Sequence, residues 1–144
     1  MINLGRWIAV LPAAVLAWYG CFLVGLLTLF HAGQMCPPGQ LESGLCGAWW
    51  YAPLSATIEA AFVALSAIGV VCIAALVAPR HKVRVAWAAY GGGSLVAAYF
   101  AWHTGALLDF AAAEIVGLAA AVLVHCHDRR ATLDPTADPL PEAA

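Results

Sequence analysis

Four side chains carry most of the chemistry in this sequence: His31, Glu59, His103 and Glu114. Each lies in or at the end of a different apolar stretch. Two imidazoles and two carboxylates from four helices form a donor set suited to a divalent transition metal. The same set would serve a proton relay or line a quinone pocket. A charge at membrane depth costs about 2.5–3.5 kcal/mol on insertion scales, so such groups turn inward and find partners. The plainer reading leaves His31 and His103 solvated at helix ends, with Glu59 and Glu114 satisfied by Ser or Tyr hydroxyls.

Helical spacing predicts which faces look inward. On the second stretch Ser55, Glu59 and Ser66 share a stripe, and on the fourth Glu114, Gly117, Ala121 and His125 do so. On the first the expected face is Ala13, Gly20, Val24, Leu27 and His31. On the third it is Gly92, Val96, Tyr99 and His103. The small residues on these faces are the kind that let membrane helices approach closely. His31 and His103 could also be axial ligands of a haem, with Gly20 and Gly92 making room, but neighbouring carboxylates are a poor wall for a porphyrin.

Cys36 and Cys46 flank a turn-rich span containing Pro37, Pro38, Gly39 and Gly44, and a disulfide is expected in an oxidising compartment. Closing so short a loop contributes about 2–3 kcal/mol. The pair reads as a staple holding Trp49–Tyr51 at the membrane surface. The outline of an outer cysteine pair on four helices resembles the disulfide-forming and vitamin K epoxide reductase membrane enzymes. Those families use a C-x-x-C pair; the spacing here is C-x9-C with no second outer pair, and the resemblance ends at the outline. Cys21 and Cys72 read as small apolar fillers. His125, Cys126 and His127 are adjacent, and on a helix they diverge rather than converge on a metal.

The elements that must position these groups follow from composition. Of 144 residues, 64% are hydrophobic and 10% charged, too apolar for a soluble domain to bury. The apolar stretches run over about 7–30, 53–78, 85–102 and 107–124, near the roughly 20 residues that a spanning helix needs. Their unbroken apolarity excludes barrel strands, and lipid requires helices. The expected fold is an all-α integral membrane protein, a bundle of four transmembrane helices over residues 1–130, with an outer loop at 32–52 and a disordered cytoplasmic tail at 131–144. The first stretch, too long for a signal h-region and without a small-x-small site after it, is expected to stay as a helix.

The six basic residues set the topology: Arg6 before the first stretch, Arg80, Lys82 and Arg84 between the second and third, Arg129 and Arg130 after the fourth. The positive-inside rule puts both termini in the cytoplasm, in a bacterial inner membrane. Trp7 and Trp87 then suit the inner interface, and Trp49, Trp50, Tyr51 and Trp102 the outer one. A shift of 72 residues aligns stretch one with stretch three, matching Gly20 with Gly92, His31 with His103 and Gly33 with Gly105. Such a match implies two parallel helical hairpins related by an axis along the membrane normal.

A net charge of −2 gives no field for nucleic acid. There is no P-loop, dinucleotide fingerprint, H-E-x-x-H or nucleophile elbow, and no catalytic residue is nominated. Three classes remain. The first is an accessory or interaction subunit, whose partners are lipid and other membrane subunits or a second copy. The second is a carrier of a metal ion or protons, and the third a membrane redox protein using haem, quinone or thiols.

Overall fold

A computed structural model describes residues 2–42 and 45–133. Its elements are α1 (Ile2–Gln34), β1 (Leu41–Glu42), β2 (Leu45–Cys46), α2 (Tyr51–Val77), α3 (Lys82–Thr104) and α4 (Leu107–Leu133). The strands form a two-residue antiparallel ladder, Leu41 opposite Cys46, within the loop joining α1 to α2. α1, α3 and α4 outrun the apolar stretches, because polar residues in their end turns fall outside an apolar window, whereas α2 starts two residues before its expected stretch and ends one residue short of it. α4 gives the clearest case: it continues through Asp128, Arg129 and Arg130 to Leu133. The expected tail therefore begins as helix at 131–133, and 134–144 lie outside the described residues.

Three helices are long and apolar enough to cross a membrane: Gly5–Gln34, Tyr51–Val77 and Leu107–Arg130. This marks the chain as a membrane protein, since lipid is the medium that accepts such surfaces. α3, expected as a fourth span on apolarity, does not reach that level. Lys82 and Arg84 open it, and Tyr90, Gly91–Gly93 and Ser94 dilute its centre.

The helices pack by small residues. Glycine or alanine on one helix lets a neighbour come close, which in lipid replaces the hydrophobic drive as the basis of association. A Cβ on Gly25 of α1 would stand 3.1 Å from Phe62 of α2, and Gly69 of α2 faces Ala17 and Cys21 of α1. These pairs run in opposite senses, so α1 and α2 are antiparallel. Gly117 of α4 lies against Tyr90 of α3 and Ala67 of α2. The best-buried cluster, Val71 and Ala75 of α2, Ala86 of α3 and Ala120 and Ala121 of α4, lies further along, with Cys72, Tyr90 and Val124 around it. Residues 67, 71 and 75 of α2 thus advance with 117, 121 and 124 of α4, so those two helices run parallel.

The result is lopsided. α2, α3 and α4 pack against one another, whereas α1 packs on α2 and makes no comparable contact with α3 or α4. An axis exchanging the two hairpins would carry the α2–α3 contact into an equal α4–α1 contact. The packing does not show one, so the internal repeat of the sequence is not visible in the fold.

Two connections are short. Residues 78–81 join α2 to α3, with His81 in the left-handed region (φ 55°). Gly105 and Ala106 join α3 to α4. Gly105 has φ 75°, where a side chain is strained, and its N–H donates to the Ala101 carbonyl at 2.8 Å. The long connection between α1 and α2 is held by the Cys36–Cys46 disulfide, with Cα atoms 5.8 Å apart, and by the Gly47 N–H donating to the Gln40 carbonyl at 2.8 Å.

Candidate functional site

Glu114 is the ionisable side chain that the helices build around. It stands seven residues into α4, about 10 Å along the axis at 1.5 Å per residue. Tyr90 and Ser94, one turn apart on α3, face it. The Tyr90 hydroxyl donates to Glu114 Oε2 at 2.7 Å, and the Ser94 hydroxyl donates to the same oxygen at 3.0 Å. Gly117, one turn further along α4, makes this geometry available, because its missing side chain leaves room for the Tyr90 ring. Glu114 is half-buried, and among the described residues no donor reaches its Oε1. The arrangement is a clamp. Two hydroxyls hold one carboxylate oxygen and leave the other without a donor among the described residues.

The four residues nominated from sequence do not meet. Among the described residues no group of three or more His, Cys, Asp or Glu is gathered as a metal ion would require. His31 and His103 are exposed at the ends of α1 and α3; His31 lies near the Phe30 ring and His103 sits edge-on to the Tyr99 ring, with centroids 4.6 Å apart. Glu59 is exposed on a flank of α2. Only Glu114 turns to a neighbouring helix.

The expected faces fare unequally for the same reason. On α4 the nominated residues Glu114, Gly117, Ala121 and His125 are all at least half-buried. On α1, however, Gly20, Val24, Leu27 and His31 are exposed, and the packed face is Ala17, Cys21 and Gly25. On α3, Gly92, Val96, Tyr99 and His103 are exposed, and the packed face runs through Ala86, Tyr90, Ser94 and Ala101. Gly20 and Gly92 have open space where a side chain would be, and so make no helix contact. With apolar residues on every side, periodicity cannot tell a lipid-facing stripe from a protein-facing one. The signal for the clamp was a pair of hydroxyls, Tyr90 and Ser94, at i and i+4 on a helix.

Elsewhere, an open apolar groove of about 820 Å³ lies along the C-terminal turns of α1, lined by Leu26, Leu27, Phe30, Gln34, Leu41 and Tyr51. It does not include Glu114. Trp49 (87% exposed) and Trp102 (85%) sit at one end of the helices, at the start of α2 and the end of α3. At the opposite end His125 has a buried Nδ1 without a partner among the described residues, beside exposed Cys126 and His127. Comparison with protein-family models, with curated proteins and with solved structures gives no match to this chain.

Proposed function

We propose that the chain is a four-span membrane subunit, with both termini on the cytoplasmic side of a bacterial inner membrane, that serves as an accessory or interaction partner in a membrane complex. Three spans rest on their own length and apolarity. Support for the fourth comes from connectivity. α2 and α4 run parallel, and α3 joins the end of one to the start of the other through short connections, so a path that takes both across must bring α3 back. Its 23 residues make about 34 Å, against a hydrocarbon core of about 30 Å. The positive-inside rule orients the bundle through Arg6, Arg80, Lys82, Arg84, Arg129 and Arg130.

The observation that carries the interaction reading is α1. It packs chiefly on α2 and leaves much of its circumference for other company. There Trp18 stacks on Phe22 and Tyr19 meets both rings edge-on, with ring centroids 5.5–6.3 Å apart and each residue about half-exposed. Trp and Tyr normally sit at the interfaces, where indole N–H and phenol O–H meet water. These two stand near the middle of α1, with no acceptor among the described residues, and a partner supplies one.

The test is gentle purification of the full chain followed by native mass spectrometry. A second membrane protein, or a second copy, in stoichiometric amount is expected, and its loss in the Trp18→Ala, Tyr19→Ala double variant. A lone monomer with unchanged behaviour in the variant counts against the reading. A bound transition metal that disappears in Glu59→Gln and Glu114→Gln would turn it towards a carrier.

A further inference from the structure

We propose that the α3–α4 seam at Glu114 is a docking site for a partner transmembrane helix that carries a basic side chain, Lys or Arg, at the depth of the clamp. The proposal rests on the interaction reading above and names the kind of partner it requires.

Charge is the first argument. Residues 51–77, 85–104 and 107–128 contain no Lys or Arg, so nothing in α2, α3 or α4 at this depth can neutralise Glu114. Intramembrane acids pair with bases or with donors, because lipid provides neither. Tyr90 and Ser94 fill only Oε2. They also hold the carboxylate in place, so Oε1 presents a fixed acceptor rather than a swinging side chain. An ammonium or guanidinium group donating to it completes the shell of a carboxylate already half satisfied.

Shape is the second. Gly91 and Ala98 lie on the face of α3 that carries Ser94, at offsets of −3 and +4, and both are exposed. Gly91 has nothing within 4 Å of where its Cβ would be. A row of glycine, serine and alanine beside a carboxylate lets a third helix approach closely enough for its basic side chain to reach Oε1. The six basic residues of this chain lie outside its apolar stretches, so a second copy cannot provide that base and the occupant is a different protein.

The experiment uses the full chain in lipid vesicles with synthetic Leu/Ala transmembrane peptides that differ at one position, Lys or Leu, about 10 Å from one end. Association is read by energy transfer between labels. The Lys peptide is expected to bind about 3- to 15-fold more tightly than the Leu peptide, the range that interhelical polar contacts give. Glu114→Gln should erase that preference, and Glu59→Gln, which changes an acid outside the seam, should keep it. Gly91→Leu should weaken both peptides together. Equal binding of the two peptides, a preference that survives Glu114→Gln, or one that vanishes in Glu59→Gln would overturn the proposal. A partner found by co-purification that binds Glu114→Gln as well as wild type would also overturn it, and would leave the broader interaction reading standing.

Discussion

The two hairpins reach the same antiparallel pairing by different means. α1 and α2 are joined by a loop of sixteen residues, 35–50, and meet through Ala17, Cys21 and Gly25 against Phe62 and Gly69, with no hydrogen bond between the two helices among the described residues. α3 and α4 are joined by two residues and share the Tyr90–Ser94–Glu114 clamp. A long loop does not hold its ends together, so the first hairpin needs the Cys36–Cys46 crosslink. A two-residue turn does, and the second hairpin has hydrogen bonds available to set its register. Small-residue packing fixes how close two helices come; the clamp fixes how they are aligned along their axes.

Five variants test that contrast, and each can be followed by unfolding in mixed micelles. Replacing Cys36 and Cys46 by Ser is expected to cost about 2–3 kcal/mol, with α1 separating from α2 before the rest unfolds. If α3–α4 loosens equally, the hairpins are not independent. Gly25→Leu and Gly117→Leu should each cost about 1–3 kcal/mol, as overfilled contacts do. The first should detach α1, whereas the second should open the clamp by displacing the Tyr90 ring. Gly105→Ala should cost about 1–2 kcal/mol, because residue 105 holds a left-handed conformation, and only the second hairpin should feel it. Glu114→Gln should cost about 0.6 kcal/mol, the average for a hydrogen bond between membrane helices. A much larger loss would mean that the clamp supports the whole bundle rather than one seam.

The sequence made the helices legible because their apolar runs are long, and it made the disulfide legible because two cysteines frame a loop of turn residues. It did not reveal which faces pack. Gly20 and Gly92 look like packing residues by type, yet Gly25, Gly69 and Gly117 do that work, and nothing in their immediate neighbours separates the two sets. In water, polarity marks the outer face of a helix; in lipid, both faces are apolar and that mark is missing. The expectation that a costly carboxylate turns inward fits Glu114, which Tyr90 and Ser94 meet, but not Glu59, which stands exposed on α2; the cost of a charge in lipid does not by itself choose the face. His31 and His103 do not bear that cost, since helix ends reach water, and they stand exposed.

The two-residue turn at Gly105–Ala106 also bears on how the chain enters the bilayer. In the proposed topology α3 is the segment least able to partition by itself, because three glycines, a serine and a tyrosine occupy its centre. Tied so closely to α4, it need not do so. The pair can leave the translocation channel as one helical hairpin, the oily segment carrying the reluctant one, once synthesis has delivered both. Lengthening that turn would uncouple the two and strand α3 outside the lipid.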